Sequence, residues 1–339
     1  MPDISSASPS KTLSENLRSL SAQGKTAWKA RRHLLDTRGI SIDELEVLVD
    51  LAKAFKQHGN RSKAPIPVLE DKSIATLFFE NSTRTRSSFE LAAKRLGATV
   101  INLDTKVSSV SKGETISDTV LQLVSMNVDA IVQRHSSSGS ADHIAHEFGS
   151  KVHVINAGDG WHAHPTQALL DYVTMLESRG SLEGAKVTIV GDILHSRVAR
   201  SNLWLLKLAG ADVHIVGPPT LMPSALDEFG VTVHNRLEPG IEGCDFVMAL
   251  RLQLERQKQG LIPSIGEYTK MYRIDHAKLK LAKPNVKLLH PGPVNRGVEI
   301  TDQLADDLNI SLIREQVTNG VVVRMAVLYL LMAEETDLI

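Results

Sequence analysis

Short apolar segments alternate with amphipathic helical segments along most of this chain of 339 residues. Such apolar runs are typical of strands buried on both faces, and their alternation with helices predicts βαβ units and parallel sheets. The predicted strands span residues 73–79, 99–103, 130–133, 153–156, 186–190, 212–216, 246–250 and 286–290. A chain of this length has room for about two domains of roughly 150 residues. We therefore predict an α/β fold of two doubly wound domains, with parallel sheets flanked by helices.

A glycine-rich segment at residues 157–164, followed by a new helix at Pro165, marks the predicted boundary between the domains. We assign residues 28–160 to the first domain and residues 161–319 to the second. Residues 1–27 form a polar N-terminal extension, and the Ser, Lys and Asn content of residues 1 to about 25 predicts a mobile segment. The apolar run at residues 321–333 predicts a buried C-terminal helix.

The overall composition excludes several classes of protein. A net charge of −1 and an aromatic content of 4% provide neither a basic surface nor stacking platforms for nucleic acid. The single cysteine, Cys244, excludes an internal disulfide and fits a reducing compartment. The N-terminal residues lack the apolar core of a signal peptide, and the run at residues 321–333 contains Arg324 and is too short to span a bilayer. We expect a cytoplasmic protein that binds neither nucleic acid nor membrane.

Polar segments follow the predicted strands at the positions where open α/β sheets bind their ligands. They span residues 82–86, 133–135, 162–167, 191–197, 251–256 and 290–296. Arginines recur in these segments: Arg84, Arg86, Arg134, Arg197, Arg251, Arg256 and Arg296. A series of guanidinium groups around one cleft indicates a ligand with several negative charges.

The first of these segments, STRTR at residues 82–86, is predicted to join a strand to a helix. Ser82 is a suitable N-cap, and the free N–H groups of the first helical turn attract an anion. Two hydroxyls and two guanidiniums add further donors, which predicts a phosphate site. The alternative interpretation is a capped helix with two solvated arginines.

The segment HAHPTQ, residues 162–167, places Pro165 at the first position of a helix and His164 at its N-cap. The positive end of the helix dipole keeps such a histidine neutral, and a neutral donor suits the polarisation of a carbonyl oxygen. Gln167 lies one turn further on. The alternatives are a histidine that only caps the helix, or a zinc site built on His162 and His164. Because Asp159, His195 and His290 show no recognisable ligand spacing, we expect no metal.

The loop at residues 290–296 contains two prolines and Gly292, a combination that is rigid and allows close approach to a ligand; a plain tight turn is the alternative. The segment SSVSKGET, residues 108–115, reads as a solvated surface loop from its composition.

Five motifs together resemble the aspartate carbamoyltransferase family, from about residue 28 to the C-terminus. They are STRTRSSFE at 82–90, SKGET at 111–115, HPTQALLD at 164–171, RLQLER at 251–256 and HPGPVNRG at 290–297. STRTR and HPTQ are shared with ornithine carbamoyltransferases, which carry a cysteine where this chain has HPGP. Arginines instead of that thiol suit a dicarboxylate substrate.

The resemblance implies a role for each matching residue. Those that would bind carbamoyl phosphate are Ser82, Thr83, Arg84, Thr85, Arg134, His164, Gln167, Gly292 and Pro293. Those that would bind aspartate are Lys112, Arg197, Arg251 and Gln253, and those with catalytic roles are Arg84, Thr85, Arg134, His164 and Lys112. Ser108 and Lys112 would reach into the site of a neighbouring subunit, which implies a homotrimer with shared active sites.

The resemblance also implies a reaction: carbamoyl transfer from carbamoyl phosphate to L-aspartate, the committed step of de novo pyrimidine biosynthesis, without a cofactor. The last helix, residues 320–339, would pack back on the first domain. A larger assembly with a regulatory or dihydroorotase-like chain is compatible with this family. Three alternatives remain: a transcarbamoylase for ornithine or another amine, a metal-dependent amidohydrolase using His162 and His164, and a non-catalytic scaffold chain.

Overall fold

The fold is known from a computed structural model, which describes residues 13–62, 64–104, 114–224, 226–253 and 260–334. Its strands are β1 (Ser73–Phe78), β2 (Thr99–Asp104), β3 (Ala130–His135), β4 (His153–Asp159), β5 (Lys186–Val190), β6 (Asp212–Val216), β7 (Thr232–His234), β8 (Phe246–Ala249) and β9 (Lys287–Leu289). Its α-helices are α1 (Leu13–Arg18), α2 (Ala22–Arg31), α3 (Ile42–Arg61), α4 (Thr83–Arg95), α5 (Ile116–Ser125), α6 (Ser140–Phe148), α7 (Pro165–Arg179), α8 (Arg197–Leu208), α9 (Leu237–Ile241), α10 (Ile265–Tyr272), α11 (His276–Leu279), α12 (Asp302–Asp306) and α13 (Ile313–Met332). Short 3₁₀ helices span Pro219–Leu221 and Leu226–Phe229.

The strands form two parallel sheets, with orders β2-β1-β3-β4 and β7-β6-β5-β8-β9. Side chains of β1 alternate between two hydrophobic cores. Ile74 and Phe78 face α3, α4 and α13 in what we call the first core, whereas Ala75 and Leu77 face α5 and α6 on the other side of the sheet. The second sheet is likewise covered on both faces. The predicted fold of two doubly wound α/β units is therefore confirmed.

Strand order reverses once in each sheet, between β1 and β3 in the first and between β5 and β8 in the second. Helices on opposite faces diverge at such a point and leave a crevice at the carboxyl ends of the strands, where ligands bind in this class of fold. The segments that follow β1, β5 and β8 carry the residues singled out above.

Each of the eight predicted strands is present, but the hydrophobic pattern did not predict β7. Thr232 and Val233 in this edge strand are exposed, and the strand spans only three residues. An edge strand exposed to solvent needs no apolar run, which is why the pattern missed it.

The prediction of a mobile segment at residues 1 to about 25 was wrong from residue 13 onward. Helices α1 and α2 occupy most of this range, with Leu17 and Leu20 buried in the first core. Trp28 is fully buried, and its indole N–H donates to the carbonyl of Glu44 at 2.9 Å. Composition hid the helix because a few leucines at helical spacing suffice to anchor a segment that is otherwise polar.

The C-terminal helix α13 begins at Ile313, before the predicted start at residue 320, and packs against α3, α4 and α7 on the side of the first sheet. Helix α7 contributes Leu169 to the core that the first sheet shares with α3, α4 and α13, and Met175 to one of the cores of the second sheet. It therefore joins the two units, and the domain boundary near residue 160 stays a prediction. Among the described residues, no helix combines the length and apolarity needed to cross a bilayer.

We predict that Leu17→Ala lowers the free energy of unfolding by about 2–5 kcal/mol, because it leaves a cavity under α1. Urea unfolding followed by circular dichroism measures this loss. The exposed neighbour Arg18 provides the control, since Arg18→Ala should change the free energy by less than about 0.5 kcal/mol. Equal midpoints for both variants and the wild type would contradict the packing of α1.

Candidate active site

A cavity of about 800 Å³ lies where the carboxyl ends of the two sheets face each other. Its walls come from the segments after β1, β4, β5, β8 and β9, from the end of β3, and from α13. Twelve of the predicted site residues line it: Ser82, Thr83, Arg84, Thr85, Arg134, His164, Gln167, Arg197, Arg251, Gln253, Gly292 and Pro293. Ser108 and Lys112 lie outside the described residues.

Not every predicted arginine joins this cavity. The Arg86 guanidinium lies over the ring of Phe78, 5.3 Å from its centroid, and Arg296 pairs at 2.8 Å with Asp306 on the protein surface. Neither side chain lines the cavity, so their predicted contribution to one cleft was wrong. Arg256 lies outside the described residues.

Helix α4 presents its N-terminus to the cavity with free donors. Ser82 is the N-cap residue, but its hydroxyl makes no capping hydrogen bond. The N–H groups of the first turn therefore lack the partner that a capping side chain provides. With Thr83 and Thr85 beside them, these groups form a cradle suited to a phosphate.

Arg84 extends from this turn toward the loop after β9. Its Nη2 donates to the carbonyl of Pro291 at 3.1 Å, and burial lowers the pKa of its guanidinium. Gly292 has a φ of +58°, and a Cβ atom there would lie 2.0 Å from Nη1 of Arg84. A larger residue would push the Arg84 guanidinium aside and would strain the backbone at this φ, so glycine keeps the loop directly against the cation.

His164 lies at the N-cap of α7, with Pro165 at the first helical position as predicted. The side chain is buried and its Nδ1 has no hydrogen-bond partner. Burial, followed by the nearby Arg134 and Arg197, lowers the pKa of His164 well below 6.5. The imidazole is therefore neutral, as predicted, although burial rather than the helix dipole is the main cause.

Asp171 connects the cavity wall to the interior. It is fully buried and accepts hydrogen bonds from Gln167 Nε2 at 2.9 Å, Gln316 Nε2 at 2.7 Å and Asn202 Nδ2 at 3.0 Å. The Gln316 oxygen then accepts from the backbone N–H of His290 at 2.9 Å. Because a carboxylate only accepts hydrogen bonds, Asp171 sets the orientation of the Gln167 amide and turns the Gln167 oxygen away from itself.

The network continues into the loop after β9. The His290 Nδ1 accepts from the Gly292 N–H at 2.7 Å, which fixes the glycine that touches Arg84. Burial raises the pKa of Asp171 to about 6, despite its three amide donors. A single chain of hydrogen bonds thus joins α7, α8, α13 and this loop.

Glu80 lies between Arg134, near the end of β3, and Arg197, which follows β5. Its carboxylate is 3.4 Å from Arg134 Nε and 2.9 Å from Arg197 Nη2. Arg197 also donates to the carbonyl of Gly160 at 3.2 Å. The Arg197 guanidinium therefore reaches across from the second sheet to residues that follow the strands of the first.

The segment after β8 is fixed by a second buried carboxylate, Glu299. It accepts from the backbone N–H of Leu252 at 2.8 Å and from the side chain of Asn295 at 2.6 Å. Leu252 separates Arg251 from Gln253, so these bonds hold the backbone that carries both side chains into the cavity.

His162 and His164, the pair considered for the alternative zinc site, do not form one metal-binding group among the described residues. Among the described residues, the group of possible ligands that contains His162 consists of Asp142, Asp159 and His162. Hydrogen bonds from Asn156 Nδ2 and from the backbone N–H groups of Gly139 and Ala163 already occupy Asp159. His164 belongs instead to the cavity.

Sequence reasoning missed Glu80, Asp171, Gln316 and Arg324. Glu80 directly follows β1, where strand ends carry functional residues, and Asp171 lies four residues after Gln167 on the same helix face. These two positions could have been found. Arg324 was noticed only as a charge within an apolar run, and nothing local distinguishes Gln316.

The chain matches two family models. Residues 32–177 match the model described as "Aspartate/ornithine carbamoyltransferase, carbamoyl-P binding domain". Residues 183–331 match the "Aspartate/ornithine carbamoyltransferase, Asp/Orn binding domain" model. The chain therefore belongs to the aspartate/ornithine carbamoyltransferase family, as its motifs indicated.

Curated relatives are similar over nearly the whole chain. The aspartate carbamoyltransferase catalytic subunit of Desulforamulus reducens is 52% identical over 308 residues, 91% of this chain and 97% of the relative. The catalytic subunit of Acidiphilium cryptum is 53% identical over 297 residues, 88% of this chain and 95% of the relative.

Solved structures share the fold. Aspartate transcarbamoylase from Trypanosoma cruzi, in complex with carbamoyl aspartate and phosphate, has a TM-score of 0.79 at 30% identity and covers 89% of this chain and 96% of its own. Ornithine carbamoyltransferase from Pyrococcus furiosus has a TM-score of 0.78 at 30% identity and covers 89% of this chain and 97% of its own. The fold alone therefore does not distinguish the two substrate classes.

We predict that Asp171 makes the free energy of unfolding fall as pH rises from about 4 to about 6. Its folded pKa of about 6 exceeds the unfolded value of 3.8, so its favourable contribution is complete below 3.8 and is lost as pH passes 6. The change is on the order of 3 kcal/mol at 1.36 kcal/mol per pH unit.

Urea unfolding of the wild type and Asp171→Asn between pH 4 and pH 7.5 measures this contribution. The difference between the two should shrink with rising pH. Asp50→Asn, an exposed change on α3, should run parallel to the wild type. A constant difference for Asp171→Asn would contradict the raised pKa.

Proposed function

We propose that this chain transfers the carbamoyl group of carbamoyl phosphate to the amine of L-aspartate, giving N-carbamoyl-L-aspartate and phosphate. The reaction would be the committed step of de novo pyrimidine biosynthesis. The observation that carries the proposal is one cavity lined by both a phosphate cradle on α4 and further arginines across the cleft. Relatives near 50% identity named aspartate carbamoyltransferase catalytic subunit support it.

Carbamoyl phosphate would bind with its phosphate at the N-terminus of α4. Ser82, Thr83 and Thr85 offer hydroxyls there, and Arg84 supplies the charge. A related structure from Trypanosoma cruzi holds carbamoyl phosphate and aspartate together, which supports this use of the fold.

The carbamoyl end would extend toward α7. Neutral His164 and Arg134 can donate to the carbonyl oxygen, and the Gln167 oxygen, turned away from Asp171, can accept from the carbamoyl amide. Backbone groups of Gly292 and Pro293 would contact the same end. This arrangement aligns the carbonyl carbon for attack.

Aspartate would attack through its neutral amine. A tetrahedral intermediate forms at the carbamoyl carbon, the bond to the phosphate oxygen breaks, and phosphate leaves with the amine proton. His164 and Arg134 stabilise the oxyanion, and Arg84 stabilises the charge that grows on the leaving phosphate. No group of the chain needs to form a covalent bond to substrate.

The two carboxylates of aspartate would bind Arg197 and Arg251, with Gln253 beside them. Arg197 is held by Glu80, so a substrate carboxylate would replace Glu80 as its partner. An ornithine side chain carries an ammonium group that these guanidiniums repel. The one cysteine, Cys244, is buried in a hydrophobic core of the second sheet and does not line the cavity.

The family resemblance further supports a cytoplasmic homotrimer. Ser108 and Lys112 of one subunit would complete the site of its neighbour, where Lys112 would contact aspartate. A larger assembly with a regulatory or dihydroorotase-like chain is compatible with such a trimer. The proposed domains are residues 28–160 with the C-terminal helix for carbamoyl phosphate, and residues 161–319 for aspartate.

We predict that the purified chain forms carbamoyl product and phosphate with L-aspartate and not with L-ornithine.

We also predict that Arg84→Ala lowers kcat by about 10²–10³-fold, because loss of one donor to a developing charge lowers turnover by this factor. Product is followed colorimetrically, and phosphate is measured in the same samples.

Arg86→Ala is the matched control, since Arg86 lies in the same turn but contacts Phe78 instead of the cavity. It should leave kcat within a few-fold of the wild type. Turnover of ornithine, or normal kcat in Arg84→Ala, would refute the proposal.

Shared sites predict complementation between inactive chains. Arg84→Ala and Lys112→Ala homotrimers should each be nearly inactive, whereas mixed trimers contain interfaces in which both residues are intact. Mixing under reversible dissociation should restore roughly a quarter to a third of the wild-type activity per trimer, because one site in three becomes complete. Verified mixed trimers without activity would argue against a site shared between subunits.

A further inference from the structure

Arg324 on α13 is a buried cation without an ion-pair partner among the described residues. It is the one charged residue in the stretch from Gly320 to Met332, and its exposed fraction is 4%. Nη1 donates to the carbonyl of Gly320 at 2.7 Å, whereas Nε has no hydrogen-bond partner. A guanidinium has five N–H donors, so most of its hydrogen-bonding capacity is unused.

Such a group is unfavourable for the folded state. A buried charge is normally paired, because transfer out of water costs several kcal/mol that only a partner offsets. Burial lowers the pKa of Arg324 to about 10, which still leaves the side chain charged at neutral pH. An apolar residue of similar volume would fill the same space without this cost.

The position of the guanidinium explains what its charge is for. Arg324 lines the same cavity as Arg84 and Thr85. It stacks on Phe89 of α4, 5.1 Å from the ring centroid, which places it beside the first turns of the helix whose N-terminus forms the phosphate cradle. Neither Arg84 nor Arg324 forms an ion pair with a carboxylate in the described part of the chain, although the buried carboxylate of Asp171 partly offsets the effect of burial on the pKa of Arg324.

We propose that Arg324 is a further phosphate-binding residue, supplied to the cavity by the C-terminal helix. It lines the same cavity as Arg84 and lies beside the first turns of α4, so that an anion on the α4 cradle would be near Arg84, Arg324 and the helix N-terminus. A dianion there satisfies both cations at once, and the site therefore selects a phosphate group over a singly charged ligand. The proposal rests on the proposed function.

Inorganic phosphate is the probe, because it contacts the phosphate end alone. Calorimetric titration of the wild type and Arg324→Met should show affinity for phosphate reduced at least tenfold in the variant. The KM for carbamoyl phosphate should rise by a similar factor, while the KM for aspartate stays within twofold. Arg324→Lys should recover part of the lost affinity, since it keeps the charge and loses the planar donors.

Thermal unfolding distinguishes binding from a structural role. In phosphate-free buffer, Arg324→Met should melt at or above the wild-type Tm, and added phosphate should raise its Tm less than that of the wild type. Arg314→Met, an exposed change on the same helix, should behave as wild type in both measurements. Unchanged phosphate affinity in Arg324→Met, or a lowered Tm with equal losses toward both substrates, would overturn the proposal.

Failure of the proposed function gives a different result. A wild type that binds phosphate through Arg324 but transfers no carbamoyl group would refute the function and support the anion site. Transfer by the wild type with phosphate affinity unchanged in Arg324→Met would refute the role of Arg324 alone.

Discussion

The hydrogen bonds to the buried carboxylate of Asp171 hold the cavity wall together. Its three amide donors come from α7, α8 and α13, elements that belong to different parts of the fold. An acceptor-only group at this point sets the orientation of each amide, and through Gln316 it fixes His290 and the loop that touches Arg84. Burial of this carboxylate lowers the stability of the folded state. In return, the carboxylate fixes the orientation of the three amide side chains around it.

Charge in the cavity follows a related principle. Glu80 neutralises part of the charge of Arg134 and Arg197, whereas neither Arg84 nor Arg324 forms an ion pair with a carboxylate among the described residues. An unpaired cation destabilises the empty protein and strengthens binding of an anion by a comparable amount. The two ends of the cavity thus differ: one holds unpaired cations, and the other holds a cation whose partner can be exchanged.

The fold explains why such distant residues meet. Two switch points, one in each sheet, face a common cleft, so side chains that follow β1, β5 and β8 converge without any special loop. Helix α13 then returns from the second sheet to the first core, and brings Gln316 and Arg324 to the floor of the cleft. Folding of the last helix is therefore coupled to assembly of the site.

Local pattern sufficed for the elements and for most of the lining residues. Hydrophobic period and composition identify eight of the nine strands, and the turn at Ser82 and the cap at His164 follow from helix chemistry that acts within a few residues.

Tertiary packing decided which way the remaining side chains point and which distant residues pair. Arg86 and Arg296 follow strands as Arg84 does, yet they turn to Phe78 and Asp306, because rotamer and neighbours rather than position set direction. Glu80 pairs with Arg197, and Asp171 pairs with Gln316, although the members of each pair lie more than a hundred positions apart. A local sequence pattern cannot predict such pairs, because only the tertiary fold brings the two residues together.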